Sequence, residues 1–148
     1  MPPIRPPKTR PAGPTARIAC RPAPAATVLL VDDDAAVRSS LQRVLALEGW
    51  QIAVATDGEN ALDQLATLQP DLLITDLCMA AVSGWDILFH ESLQRPTLPI
   101  FVISALPASA FAGADRFATA FFQKPLDLDA LVAAIHRQLK TAGAHAVT

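Results

Sequence analysis

Short apolar runs alternate with amphipathic stretches along most of the chain. Val28-Leu29-Leu30-Val31 is apolar at every position and meets Asp32-Asp33-Asp34. A run that is apolar on both faces predicts a strand buried on both faces, as in the middle of a parallel sheet. Val37, Leu41, Val44 and Leu45 recur at helical spacing, and Gly49 closes that helix. Ile52-Ala53-Val54-Ala55 is a second strand. Thr56 or Asp57 can cap the next helix, whose apolar face is Ala61, Leu62, Leu65 and Leu68 and which Pro70 ends. Leu72-Leu73-Ile74-Thr75 is a third strand and again runs into an acid, Asp76. A loop reaches Gly84, and Trp85, Ile87 and Leu88 predict a short helix. Ile100-Phe101-Val102-Ile103 is a fourth strand ending at Ser104. Thr119-Ala120-Phe121-Phe122 is a fifth, ending at Lys124-Pro125. Leu128, Leu131, Val132, Ile135 and Leu139 form the last helix, whereas residues 106–113 carry poor helix signals.

Strand and helix alternating in this way predict an α/β domain with a parallel sheet covered on both faces. In such sheets ligands sit at the carboxyl ends of the strands. Asp32, Asp33 and Asp34 follow the first strand, Asp76 the third, Ser104 the fourth and Lys124 the fifth. Four strand ends therefore bring polar groups to one edge. Clustered carboxylates repel one another unless a cation intervenes, and magnesium is a hard cation that takes oxygen ligands and keeps waters. Lysine and hydroxyl groups suit the oxygens of a phosphoryl group. A central carboxylate can attack phosphorus. These residue types describe metal-assisted phosphoryl transfer to an aspartate.

Composition narrows the class without changing that picture. The chain has 148 residues, 51% hydrophobic and 18% charged, with a net charge of −2, which suits one folded domain and excludes a strongly basic nucleic-acid binder. The average hides a basic segment. Residues 1–26 hold eight of the 13 prolines, five basic residues and no acid, so the remainder carries −7. Proline at this density opposes helix and sheet, and residues 1–26 are expected to be a disordered tail. Cys20 and Cys78 are too few for a disulfide scaffold. No run approaches the roughly 18 apolar residues of a membrane span, and no secretory signal is present, so the expected location is cytoplasmic.

The arrangement resembles the receiver domain of two-component response regulators over residues 27–140. The resemblance rests on Val-Leu-Leu-Val-Asp-Asp-Asp at 28–34, Pro-Asp-Leu-Leu-Ile-Thr-Asp-Leu-Cys-Met at 70–79 with Gly84, Pro-Ile-Phe-Val-Ile-Ser-Ala at 99–105 and Lys-Pro at 124–125. It implies a doubly wound, flavodoxin-like sheet of order 2-1-3-4-5. It also implies that Asp76 is the phosphoacceptor, that Asp33 binds Mg2+ directly and Asp32 through water, and that the backbone carbonyl of Cys78 completes the metal shell. Ser104 and Lys124 would hold the phosphoryl group, and Phe121 would turn inward as Ser104 moves. Asp34 lies outside the acidic pair and is read as the start of the first helix. Ala80 stands where the family usually has proline, and Phe117 where it usually has glycine. The Lys124–Pro125 bond is expected to be cis, because the ammonium must reach back toward Asp76 while the chain turns into the last helix, and X–Pro is the linkage in which cis costs least.

The implied partners are a sensor histidine kinase or histidine phosphotransfer protein, with a downstream effector protein reached by protein–protein contact. A phosphorylation-linked homodimer is a further form the resemblance allows. The −7 core opposes direct DNA binding, and residues 141–148 are read as a short tail. On this reading the chain is a signalling phosphoacceptor, limited to self-phosphorylation and self-dephosphorylation. Two other readings stay open: a pseudo-receiver that works without phosphate, and a haloacid-dehalogenase-like phosphatase built on Asp32-x-Asp34. The three histidines lack metal-binding spacing and are read as surface residues, and Trp50 and Trp85 as packing residues.

Overall fold

The computed structural model describes residues 25–77, 87, 90, 94, 95, 97–110 and 116–147. Its strands are β1 (Thr27–Val31), β2 (Gln51–Ala55), β3 (Leu72–Asp76), β4 (Ile100–Ser104) and β5 (Ala120–Gln123). The α-helices whose bounds are described are α1 (Ala35–Ala46), α2 (Gly58–Leu68) and α3 (Leu128–Val147); Ile87, His90 and Gln94 are also helical. The strands form one parallel sheet in the order β2-β1-β3-β4-β5. This is the order expected. The chain leaves β1 toward one edge and returns to build the other side from β3, so the order reverses at the β1–β3 boundary. A crevice opens there at the carboxyl ends of the strands.

Burial explains why the apolar runs differ in character. β3 and β4 lie inside the sheet and are buried at all five positions. β2 and β5 are the edges, and most of their residues are only partly buried. Leu29, Val31, Leu73, Ile100 and Val102 face α2, where Ala61 and Leu65 complete one core with Ile87. Val28, Leu30, Leu72, Ile74, Phe101 and Ile103 face the other way, against Leu41 and Leu45 of α1 and Leu131 and Ile135 of α3. Trp50 packs against this second core, as expected of a packing residue.

The helix ends follow local chemistry. Asp34 caps α1, its carboxylate accepting from the Ala36 and Val37 amides at 2.9 and 3.2 Å. Asp57, not Thr56, caps α2 by accepting from the Asn60 amide at 2.8 Å. Such caps satisfy amides that have no partner inside the helix. Gly49 follows α1 with φ of 97°, a left-handed conformation that suits glycine.

The structure shifts two expected boundaries. β5 begins at Ala120 because Thr119 closes the entry to it: its amide donates to the Ile100 carbonyl at 2.7 Å, and its hydroxyl accepts from the Ile100 amide at 3.1 Å. The last helix continues to Val147, so the backbone of residues 141–147, expected as a tail, is helical. Ala142, Ala144 and Ala146 favour that continuation. Between β4 and β5 the described residues include a 3-10 turn at Ala108–Ala110; residues 111–115 lie outside the described residues. Residues 1–24, Cys78, Gly84 and Trp85 lie outside the described residues, and with them the expectations for the tail, the carbonyl ligand and the acceptor loop.

Candidate functional site

The alternation of strand side chains decides which groups meet. Successive residues point to opposite faces of a sheet. Counting in twos from Val28 and Leu30 brings Asp32 to the side of α1 and α3. The same count from Leu72 and Ile74 brings Asp76 there, and from Ala120 and Phe122 it brings Lys124. Ser104, following Ile100 and Val102, belongs to the α2 side. Three strand ends thus direct two acids and one amine to a single place.

They converge in fact. Lys124 Nζ lies 2.8 Å from Asp32 Oδ2 and 2.9 Å from Asp76 Oδ2. The Lys124 side chain is 20% exposed, against 0% for Asp32 and 7% for Asp76, so the bridge is largely cut off from water. The Lys124 backbone amide donates to the Ser104 carbonyl at 2.7 Å, extending the β4–β5 pairing past its last strand residue. The Lys124–Pro125 peptide is cis, as expected. Burial alone lowers the pKa of Lys124. The hydrogen bonds it donates to Asp32 and Asp76, together with their negative field, more than offset this and raise it above the ordinary lysine value.

Asp32 is held at every polar atom. Its amide donates to the Ala55 carbonyl at 3.4 Å, Oδ1 accepts from the Asp34 amide at 2.9 Å, and Oδ2 meets Lys124. Its carbonyl accepts from Arg38 Nη1 at 2.7 Å. Asp33 is exposed at the mouth of the crevice. Asp32, Asp33 and Asp76 each offer a carboxylate oxygen, and these lie within 4.8 Å of one another. Three acidic groups face one ammonium, and the donors are all oxygen. That set fits a hard divalent cation such as Mg2+, which would add two positive charges and accept further oxygens.

Ser104 is buried, and its hydroxyl accepts from the Leu106 amide at 3.1 Å. Phe121 stands opposite Val102 in the β4–β5 register, one pair short of Ser104 on the same face. It is half-buried and packs on the α2-side core. His90 and His136 are exposed.

Sequence reasoning placed Asp32, Asp33, Asp76, Ser104 and Lys124 at one edge, and the structure gathers the three aspartates and the lysine into direct proximity. It missed two features. Lys124 bridges Asp32 as well as Asp76, and Arg38 reaches back from α1 to the end of β1. The signal for Arg38 was its place near the amino terminus of a helix, where the macrodipole disfavours a cation.

Comparison with known proteins agrees with this geometry. Residues 28–136 match the response regulator receiver domain profile. Response regulator MprA of Mycobacterium avium (strain 104) is 36% identical over 115 residues, covering 76% of this chain and 50% of that protein. The chain thus spans about half the length of the curated relatives it matches. A response regulator receiver protein from Pseudomonas putida superposes with a TM-score of 0.72 and 29% identity, over 78% of this chain and 98% of the other. A CheY-like receiver domain protein from Methanospirillum hungatei JF-1 gives a TM-score of 0.76 at 20% identity over 82% and 99% of the two chains, a likeness of fold.

Proposed function

The chain belongs to the response regulator receiver domain family, a family of signalling modules, and from that premise we propose that it accepts a phosphoryl group on Asp76. The donor is a phosphohistidine of a sensor kinase or a histidine phosphotransfer protein. The observation that carries this reading is the buried bridge from Lys124 to Asp32 and Asp76 at 2.8 and 2.9 Å.

An Asp76 carboxylate oxygen attacks phosphorus and forms an O–P bond. The P–N bond to the donor imidazole breaks, and its electron pair stays on nitrogen, so an imidazolium donor leaves as neutral imidazole. Bound Mg2+ supplies positive charge to the phosphoryl oxygens. Asp33 would hold the ion directly and Asp32 through water, with the Cys78 carbonyl, which lies outside the described residues, as the further ligand the family resemblance implies. Lys124 pairs with a phosphoryl oxygen and Ser104 donates its hydroxyl to another. Phe121 follows Ser104 inward, which carries the phosphorylated state to the surface.

A groove between Ala36, Val37, Ser40 and Leu41 of α1 and Lys124, Pro125 and Leu126 opens beside the site. It supports docking of a donor protein at the edge where the phosphoryl group must arrive. The output is contact with an effector protein. No helix among the described residues is long and apolar enough to cross a membrane.

Calorimetric titration with beryllofluoride in the presence of Mg2+ tests the reading. The wild type should bind one equivalent and Asp76→Asn none. Equal binding by both would remove Asp76 as the acceptor.

A further inference from the structure

We propose that Arg38 is a positioning residue for Asp33, acting through the peptide that joins Asp33 to Asp32. The inference rests on the phosphoacceptor reading above, in which Asp33 is the direct metal ligand.

Arg38 is the fourth residue of α1. A cation near the amino end of a helix opposes the macrodipole, so its presence there asks for a compensating contact. The guanidinium supplies one by turning back: Nη1 donates to the Asp32 carbonyl at 2.7 Å. The Arg38 backbone amide donates to the Asp34 carbonyl at 2.9 Å. One residue therefore grips both ends of the turn Asp32–Asp33–Asp34.

The consequence falls on Asp33. The Asp32 carbonyl oxygen shares a rigid plane with the nitrogen and Cα of Asp33. Holding that oxygen fixes the peptide plane before the Asp33 Cα, and the Asp34 amide, donating to Asp32 Oδ1 at 2.9 Å, fixes the plane after it; the two planes together set the direction in which the Asp33 side chain leaves the backbone. Asp32 needs no such help, since both its carboxylate oxygens are engaged, by Asp34 and Lys124. Asp33 is exposed, and among the described residues no hydrogen bond or ion pair holds its carboxylate. Its aim toward Asp32 and Asp76, within 4.8 Å, thus depends on its backbone. Arginine suits the task because its planar fork reaches far and stays charged.

Positioning and simple charge predict opposite results. Removing a cation beside an acidic cluster should tighten Mg2+ binding by electrostatics alone. Loosening the turn should weaken it. Mg2+ affinity is measured by calorimetry on the full chain for wild type, Arg38→Met and Arg38→Lys, and hydrogen exchange of the Asp34 amide is followed in the metal-free proteins. Arg38→Met should lose about tenfold in Mg2+ affinity, the scale seen for residues that orient metal ligands. Its Asp34 amide, bonded to Asp32 Oδ1, should exchange faster. Arg38→Lys should recover part of both. Arg38→Gln, which loses reach and charge together, carries the same test if Arg38→Met does not fold. Unchanged or tighter Mg2+ binding in the Met or Gln variant, with the wild type still taking up phosphate, overturns the inference and leaves the phosphoacceptor reading standing. A wild type that binds no Mg2+ overturns that reading and this inference together.

Discussion

Two contacts of equal length, a lysine–carboxylate ion pair and a histidine–carboxylate hydrogen bond, occupy opposite ends of the sheet. At the carboxyl edge, Lys124 meets Asp32 at 2.8 Å; near the start of β2, His136 meets Glu48, also at 2.8 Å. The first pair is buried, with side-chain exposures of 20% and 0%; the second is open, at 52% and 36%. Distance does not separate them. Dehydration does, together with a second acid, Asp76, on the same ammonium. A buried charge left without its partner is costly, whereas a solvated one is returned to water at little cost. The carboxyl edge is therefore a place where charges are held in readiness, and the His136 pair is a surface contact.

Lys124→Met should break this contrast most strongly. It leaves Asp32 and Asp76 facing each other without a cation. In metal-free urea denaturation it should cost about 3 kcal/mol, the lower end of the range for removing one partner of a buried pair because Lys124 keeps some exposure. Saturating Mg2+ should restore part of the loss. If the variant is as stable as wild type without metal, the bridge is no more consequential than the surface pair.

The pH dependence sharpens the same point. Lys124 has a raised pKa in the folded protein. Its contribution is therefore fully present below the ordinary lysine value of 10.5 and is lost as the pH climbs from there through the folded-state value. The stability gap between wild type and Lys124→Met should stay flat from about pH 6 to 9 and narrow only in strong alkali. A gap that closes near neutrality would mean that another group is responsible.

Within the acidic turn the contrast recurs between neighbours. Asp34→Ala removes a helix cap and should cost about 1 kcal/mol of stability while leaving Mg2+ affinity close to wild type. Asp33→Asn should do the reverse, keeping stability and losing the metal. Calorimetry with Mg2+ beside thermal melts reads both. The smallest effect belongs to the surface pair. A double-mutant cycle on Glu48 and His136 should give a coupling of about 0.5 kcal/mol or less, with phosphate uptake unchanged.

Much of this was legible in the sequence because the fold converts position into function. An apolar run followed at once by an acid is a strand end with a carboxylate on it, as at Asp32 and Asp76. Asp34 was separable from Asp33 because one begins a helix and the other does not. Lys124 was marked by Pro125. Period-two counting would also have placed Asp32, Asp76 and Lys124 on one side of the sheet. The contact of Lys124 with Asp32 was not legible, since it spans 92 residues of sequence and depends on strand order. Nor was the reach of Arg38, a long side chain whose direction is set only by the packed turn. The extra turns of α3 were hidden by the small residues of 141–147, which read equally as tail or helix.

The most direct measurement is the location of the phosphate. The full chain is incubated with a small-molecule phosphodonor and Mg2+, reduced with borohydride to convert an aspartyl phosphate to homoserine, and mapped by peptide mass spectrometry. One homoserine is expected, at position 76, and none in Asp76→Asn. Full phosphorylation of Asp76→Asn, or phosphate carried at a serine, threonine or histidine, would contradict the acceptor role of Asp76.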